Sequence, residues 1–162
     1  MKKAPLLILF FLLITSPKLF AQFEGTFGIG AHAVYGAEIN SLGVGGHIHY
    51  YRTNNLRFTP SYTYFINRDD KGMWMVDADA HYIVPVSITA SLYPIAGLHY
   101  SRWKFSSASD ESATIIKRIG ANLGLGFQHD ISYRVRANFE LKYQFMKDYS
   151  QVILMAGFGF WF

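Results

Sequence analysis

Apolar and polar residues alternate with a period of two along most of the chain, which is typical of β-strands that present two different faces. The stretch from Tyr133 to Phe145 is the clearest case, because its odd positions are all apolar and its even positions are all polar. If half of all positions were apolar at random, a run of this length would alternate without error roughly once in several thousand trials. The alternation therefore predicts a strand here.

Eight alternating segments follow one another along the chain and predict eight antiparallel strands. They run from Thr26 to Tyr35, Leu42 to Arg52, Leu56 to Ile66, Met73 to Val84, Ile88 to Trp103, Ile115 to Phe127, Tyr133 to Phe145 and Val152 to Phe162. The connections after odd-numbered segments are longer than the turns after even-numbered ones. Up-and-down barrels of the outer membrane alternate long outer loops with short periplasmic turns in this way, and an even strand number leaves both chain ends in the periplasm.

The composition of the polar face indicates which face points into the barrel. A face in contact with water is dense in Lys and Glu, but ten of the 14 glycines lie on the polar parity: Gly28, Gly30, Gly43, Gly45, Gly97, Gly120, Gly124, Gly126, Gly157 and Gly159. Small residues belong in the narrow interior of an eight-stranded barrel. The apolar face is aromatic toward the strand ends, as at Phe27 and Tyr35, which resembles the girdles of membrane barrels. We therefore predict that the apolar face points outward to lipid.

Two prolines lie inside predicted strands. Pro60 and Pro94 have no N–H group, so neither residue completes the hydrogen bonds of a strand that is paired on both sides. We expect a bulge or a lost ladder bond at each proline, although the alternation keeps its phase across both.

The first residues have the order of a secretory signal peptide. Lys2 and Lys3 precede an apolar run from Leu6 to Ile14, and a polar stretch follows as far as Ala21. The run is too short for a membrane helix, which needs about 20 apolar residues. We expect residues 1–21 to be a signal peptide cleaved after Ala21, or one or two residues away, and residues 22–162 to form one β-barrel domain.

Composition narrows the possible classes of protein. The chain has no cysteine, so it forms no disulfide and carries no lipid-modified cysteine. Cleavage removes three lysines and leaves 12 basic against 11 acidic side chains, which are scattered rather than clustered. This distribution gives no case for nucleic-acid binding. Aromatic residues make up 17% and charged residues only 16%, a balance unusual for a soluble surface.

Three segments resemble the small outer-membrane β-barrel domain family of the OmpA and OmpX type, and the likeness extends over nearly the whole mature chain. They are Gly120 to Phe127 (GANLGLGF), Pro94 to Leu98 (PIAGL) and Phe158 to Phe162 (FGFWF). The resemblance implies an all-β, eight-stranded antiparallel up-and-down transmembrane β-barrel, surrounded by lipid in the outer membrane of a Gram-negative bacterium. In that family the barrel-assembly machinery reads a terminal aromatic residue preceded by alternating apolar residues, and Phe158, Phe160 and Phe162 match this signal. The resemblance identifies no activity and no protein partner.

Charged and imidazole side chains on the inward parity are the candidates for chemistry. They are His32, His47, His49, Asp77, Asp79, His81, His99, Arg118, Arg134, Arg136, Glu140 and Lys142. One interpretation is a salt-bridged filling, because each buried charge needs a partner. The other is a metal site, since His47 with His49, or Asp77 with Asp79 and His81, share a face. No spacing fixes three ligands at one height, so we favour the filling and assign no metal or cofactor.

His99 and Ser101 resemble part of the catalytic group of the outer-membrane lipid A 3-O-deacylases. Nucleophilic catalysis needs a base within reach of the hydroxyl and a third group that orients the base. In that family the catalytic residues face lipid, whereas His99 and Ser101 lie on the inward parity, and the sequence shows no acidic partner. The residues after Ser101 also depart from that family's motif. We predict no enzymatic activity and no catalytic residue, with a lipid A-modifying hydrolase as the alternative.

A pore is the remaining class. Eight strands enclose a space that side chains fill, and Tyr93, Trp103, Met155 and Trp161 lie on the parity that would occupy it. We therefore predict a filled interior and a structural or partner-binding role. The longest outer loop, Ser106 to Ser112, is one candidate for binding a partner, but no residue pattern in it marks a binding site.

Overall fold

Nine β-strands make up the structure, a computed structural model that describes residues 24–67, 71–105 and 114–162. The strands are β1 (Phe27–Gly36), β2 (Ser41–Tyr51), β3 (Leu56–Phe65), β4 (Lys71–Tyr82), β5 (Val84–Pro85), β6 (Ala90–Phe105), β7 (Thr114–Asp130), β8 (Val135–Met146) and β9 (Gln151–Trp161). The expected signal peptide and the Ser106 to Ser112 loop lie outside the described residues. No helix in the described ranges is long and apolar enough to cross a membrane.

The sheet closes on itself. Each strand pairs antiparallel with its sequence neighbours, except that β4 pairs with β6 and not with β5, and β1 pairs with β9. The two-residue β5 continues β4 beyond Ile83 and also pairs with β6, so β4 and β5 together act as one strand of an eight-stranded barrel. Closure leaves no strand edge, which a sheet surrounded by hydrocarbon requires because lipid offers no partner for a free N–H or C=O group. The predicted eight-stranded antiparallel barrel is confirmed.

Strand bounds differ from the prediction by a few residues at the turns. The predicted seventh strand began at Tyr133, but Ile131 donates its N–H to the carbonyl of Val135 and closes a turn there. The strand before it continues to Asp130, three residues further than predicted. β6 begins at Ala90 rather than Ile88, because Val86 donates its N–H to the carbonyl of Ala90. Local turn closure, which alternation does not encode, sets these ends.

Both prolines interrupt the ladder without shifting its register. The β2–β3 pairing runs from Gly43 and Phe65 to His47 and Ser61, stops opposite Pro60, and resumes in the same register at Tyr50 and Phe58. The β4–β6 pairing stops at His81 and Ile95, directly before Pro94, and resumes with Val84 and Leu92. The missing proline N–H explains why β4 and β5 are separate. The expected loss of ladder bonds is confirmed, and there is no bulge.

The two faces of the barrel have the predicted orientation. Large apolar side chains are exposed on the outside, among them Leu98 (68%) and Leu125 (66%), while Lys142 and Glu140 are buried inside. Glycines on the inner face make room for larger neighbours. A Cβ on Gly126 would overlap the ring of Tyr93, and a Cβ on Gly97 would overlap the carboxylate of Asp79. These close approaches explain the excess of glycine on the polar parity.

Candidate functional site: the barrel interior

Side chains fill the interior in three layers, which we describe from the end that carries the β1–β2, β3–β4, β6–β7 and β8–β9 connections, called the outer end. The first layer is an apolar group, called the outer cluster, that consists of Val34, Ile39, Phe65, Met73, Met75, Trp103, Met146, Ile153 and Met155. Phe105, Ile116 and Tyr149 pack against it. This layer covers the charged interior at the outer end.

An aromatic layer lies at the opposite end, called the terminal end because the described chain begins there at Glu24 and ends there at Phe162. Tyr51, Ile83, Tyr93, Ile95 and Trp161 form this terminal cluster. Two buried guanidinium groups complete the layer. The Arg57 guanidinium carbon lies 4.7 Å from the ring centroid of Tyr93, and that of Arg136 lies 4.4 Å from the ring centroid of Trp161. These distances suit cation–π contact.

The middle layer is a charged network centred on Lys142. Its ammonium group lies 2.8 Å from a carboxylate oxygen of Asp79, 3.3 Å from one of Asp77 and 3.8 Å from one of Glu140. Three further contacts complete the coordination of the carboxylates: Asn122 donates to Asp79 at 2.8 Å, Tyr93 donates to Glu140 at 3.0 Å, and His99 Nδ1 lies 2.6 Å from Asp77. The interpretation of a salt-bridged filling is confirmed for these residues.

Four histidines form a row of neighbouring rings from the middle layer to the terminal cluster. His32 and His47 have their Nδ1 atoms 3.0 Å apart, and His32 Nε2 lies 2.8 Å from the hydroxyl of Thr63. The ring centroids of His47 and His49 are 4.4 Å apart, and those of His49 and His81 are 6.4 Å apart. Among these four rings only His32 and His47 share a hydrogen bond, and the other neighbours are in ring contact. Nε2 of His47, His49 and His81 has no hydrogen-bond partner in the described part of the chain.

The residues considered as metal ligands contact other side chains. Lys142 holds Asp77 and Asp79, and Arg57 donates to His81 Nδ1 at 2.8 Å. His49 stacks on Trp161 with a centroid distance of 5.2 Å. Within residues 24–67, 71–105 and 114–162, no three His, Asp or Glu side chains are arranged to hold a metal ion.

The structure corrects one inference about the His99 and Ser101 pair. The sequence shows no acidic partner for His99, but Asp77 lies directly opposite it in the β4–β6 ladder, and the two side chains are in contact. The nucleophile–base contact is absent among the described hydrogen bonds of Ser101, whose hydroxyl accepts from Trp103 Nε1 at 3.0 Å and lies 3.5 Å from the sulfur of Met146. Both His99 and Ser101 are buried, and they face the interior rather than lipid.

Two cations assigned to the interior by parity lie elsewhere. Arg118 is at the outer end, where its guanidinium lies 3.4 Å from a carboxylate oxygen of Asp148 and its side chain is 27% exposed. Arg134 is exposed in the turn between β7 and β8. Sequence reasoning also left Arg57 out of the interior charges, although it is completely buried. Arg57 has the polar parity of the third segment, between the apolar Leu56 and Phe58, and this parity was the signal that could have found it.

The barrel is similar to solved outer-membrane proteins of Gram-negative bacteria. The N-terminal β-barrel domain of Pseudomonas aeruginosa OprF matches with a TM-score of 0.70 and 20% identity, over 88% of this chain and all of the other. Neisserial surface protein A matches with a TM-score of 0.68 and 19% identity, over 85% and 96% of the two chains. For Ail, the attachment invasion locus protein of Yersinia pestis, the TM-score is 0.64 and the identity 19%, over 86% and 99%.

No protein-family model matches the chain, and neither does any curated protein. The closed sheet and the structural matches nevertheless define the class: the chain has the fold of the eight-stranded outer-membrane β-barrels. This agrees with the resemblance to barrels of the OmpA and OmpX type. At these identities the matches establish the fold, so the role of this particular barrel is argued from its own residues.

Proposed function

We propose that this protein is a non-enzymatic outer-membrane barrel with a sealed interior, which serves as a structural or interaction protein rather than as a channel. The observation that carries the proposal is the buried charged network of Lys142 between two layers of large side chains. An ion crossing the barrel would have to displace Trp103 and Met75 at one end, and Tyr93 and Trp161 at the other. Packed interiors resist such displacement.

The geometry around Ser101 supports the absence of hydrolase activity. A serine nucleophile needs its base within hydrogen-bond reach, whereas the described partners of Ser101 are Trp103 and Met146. The acyl chains of a lipid substrate lie outside the barrel, and Ser101 has no exposed surface. The contact between His99 and Asp77 is the one observation that favours the alternative, a lipid A-modifying hydrolase, because it reproduces the base and its orienting carboxylate.

Export and assembly form the second part of the proposal. Residues 1–21 direct the chain across the inner membrane and are removed. The aromatic side chains of Phe158, Phe160 and Phe162 then present the C-terminal signal to the barrel-assembly machinery. In support, all three side chains are exposed on the outer face, Phe162 to 72% and Phe158 to 61%. Mass spectrometry of the exported protein tests the cleavage site.

Two measurements test the proposed role. The purified barrel, verified by its altered gel mobility on boiling, is added to a planar bilayer; we expect no discrete conductance steps, and regular steps would refute the sealed interior. In parallel, lipopolysaccharide from cells that express the protein is analysed by mass spectrometry. We expect unchanged acylation. Loss of an acyl chain that His99→Ala abolishes, while the barrel still folds, would establish the hydrolase instead.

A further inference from the structure

Every methionine in the described part of the chain belongs to the outer cluster. The sequence has five methionines, of which one is Met1 and the others are Met73, Met75, Met146 and Met155. These four come from three strands, β4, β8 and β9, yet their side chains meet in one buried layer, where none is more than 8% exposed. Because the chain has no cysteine, all of its described sulfur atoms lie in this layer.

Three of these sulfur atoms contact polar groups at the boundary between the outer cluster and the middle layer. The distances are 3.5 Å from Met146 Sδ to Ser101 Oγ, 3.7 Å from Met75 Sδ to Gln144 Nε2, and 4.0 Å from Met73 Sδ to Gln151 Nε2. Methionine often fills gaps in apolar cores, where carbon atoms surround its sulfur. Here the sulfur atoms point to polar partners instead. A thioether is a weak acceptor with two lone pairs, so one lone pair stays available to a metal ion.

An imidazole ring lies beside the sulfur of Met146. His99 on β6 and Met146 on β8 are both ladder partners of Gly120 on β7, which has no side chain to separate them. Met146 bends over Gly120 toward β6, because its Cγ lies 2.7 Å from the position of a Cβ on that glycine and its sulfur reaches Ser101. Nδ1 of His99 lies 2.6 Å from a carboxylate oxygen of Asp77, while the buried Nε2 has no hydrogen-bond partner in the described ranges. Histidines that bind metals commonly donate their other N–H to a carboxylate in this way.

The charges next to the outer cluster favour a cation. The middle layer holds three carboxylates around the single ammonium group of Lys142. The carboxylate of Asp77 is adjacent to the sulfur atoms, because the Gln144 nitrogen that contacts Met75 also lies 3.5 Å from an oxygen of Asp77. A monovalent cation among the methionines would therefore face an excess of carboxylates across one amide group. The outer cluster provides soft ligands, and the middle layer provides the counter-charge.

We propose that the outer cluster binds one soft monovalent metal ion, such as Cu(I), through the sulfur atoms of Met75 and Met146 and through Nε2 of His99. Thioether and imidazole ligands suit Cu(I), whereas Zn(II) takes thiolate, imidazole and carboxylate ligands. The site differs from the excluded arrangements of three His, Asp or Glu side chains, because two of its ligands are thioethers. An ion that enters from the outer end reaches the site without crossing the charged network, so the inference goes beyond the proposed function and does not rest on it.

The test titrates the full chain, exported by a Gram-negative host and purified in a neutral detergent without thiols or chloride, with Ag(I) as a redox-stable probe. Native mass spectrometry counts the bound ions, and we expect one per barrel. Met75→Leu with Met146→Leu keeps the side-chain volume and removes two sulfur atoms. Even a change behind a ligand weakens metal binding about 10–100-fold, so we expect this double variant to lose at least about 100-fold in affinity for Ag(I). The boiling-dependent gel shift shows whether each variant folds.

His99→Gln and His129→Gln form a matched pair for the imidazole ligand. His129 is exposed near the terminal end of β7. We expect His99→Gln to weaken Ag(I) binding about tenfold or more, and His129→Gln to change it by less than about twofold. X-ray absorption by Cu(I) bound to the unmodified protein gives a second measurement that needs no variant to fold. We expect sulfur neighbours and one nitrogen neighbour around the metal.

Several outcomes would overturn the proposal. They are an unmodified protein that binds no Ag(I) at micromolar concentration, equal affinity in the double leucine variant and the unmodified protein, and an equal loss in His99→Gln and His129→Gln. A Cu(I) absorption spectrum with only nitrogen and oxygen neighbours would also refute the thioether ligands. Zn(II) that displaces Ag(I) at equal concentration would show a site with harder ligands and count against a soft-metal site. None of these results bears on conductance or acylation, so failure here is distinct from failure of the proposed function.

Discussion

The ammonium group of Lys142 on β8 lies 2.8 Å from a carboxylate oxygen of Asp79 on β4, inside the barrel. The two strands are not neighbours in the sheet, so the contact joins separate walls of the cylinder. Asp77 and Glu140 approach the same ammonium group at 3.3 Å and 3.8 Å. One ammonium group therefore contacts three carboxylates in the buried interior of the barrel.

Replacing this cation should destabilise the barrel strongly. We expect Lys142→Met to lower the free energy of unfolding by about 3–5 kcal/mol, because it leaves buried carboxylates without their counter-charge. Urea titration of the barrel in lipid vesicles measures the effect. The control Lys104→Met removes an exposed lysine from the outer surface and should change the free energy by no more than about 0.5 kcal/mol. Equal effects of the two substitutions would show that the network contributes nothing specific.

The period-two pattern was sufficient to predict the strands and their two faces, because alternation reports the face of each residue directly; the closed barrel was predicted from the loop lengths and from the resemblance to known barrels. It could not predict depth along the barrel. Arg118 and Arg134 have the inward parity, yet Arg118 lies in β7 beyond its pairing with β8, and Arg134 lies in the turn between β7 and β8. The alternation tells which face of the strand a residue lies on. Whether the side chain is buried in the interior depends also on how far the residue lies from the turn.

The side-chain contacts inside the barrel also could not be predicted from the sequence. Asp77 faces His99 because the β4–β6 ladder has a fixed register, and that register is kept across the interruption of the ladder at Pro94. A shift of two residues would preserve every inward and outward assignment and yet separate the pair. Contacts through the cylinder, such as that of Arg57 with Gln128, depend in addition on barrel closure. The resemblance to known barrels gave the architecture but not these pairs.

Two inward glycines should respond in opposite ways to the same substitution. A Cβ on Gly97 would overlap Asp79 and lie 2.6 Å from the carbonyl oxygen of Ala78, whereas the nearest atom to a Cβ on Gly159 is 3.5 Å away. We expect Gly97→Ala to cost about 1–3 kcal/mol of unfolding free energy. Gly159→Ala should be neutral or stabilise by up to about 1 kcal/mol, because alanine restricts the unfolded chain. Urea unfolding of both variants measures these changes. An equal loss of unfolding free energy in the two variants would contradict the close packing around Gly97.

Ser101 should matter for stability rather than for chemistry. Its hydroxyl accepts the hydrogen bond of Trp103 Nε1 at 3.0 Å, so Ser101→Ala leaves a buried indole N–H without its partner. We expect a loss of about 1–3 kcal/mol in unfolding free energy. Ser91→Ala is the control, since the buried Ser91 hydroxyl makes no side-chain hydrogen bond in the described part of the chain. A Ser101→Ala barrel of unchanged stability would remove this explanation for the serine.

The C-terminal phenylalanine should affect assembly in cells more than stability in the folded barrel. Phe162 is 72% exposed beyond the end of β9, and its N–H donates to the carbonyl of Phe27, a backbone bond that survives a change of side chain. If the assembly machinery reads the terminal aromatic ring, Phe162→Ala lowers the amount of barrel in the outer membrane severalfold, while refolding into detergent is unchanged. Cell fractionation with the boiling-dependent gel shift measures the first quantity, and the yield of refolding measures the second.

Leu98→Ala provides the comparison for Phe162→Ala, because Leu98 is similarly exposed, at 68%, on the outer face in the middle of β6. Both substitutions remove apolar surface that faces lipid, so a general loss of hydrophobic contact would reduce membrane insertion in both variants. A defect confined to Phe162→Ala separates recognition of the terminus from lipid contact. If the two variants assemble equally well in cells, the terminal ring is not the signal, and the alternating residues Phe158 and Phe160 would have to carry recognition without it.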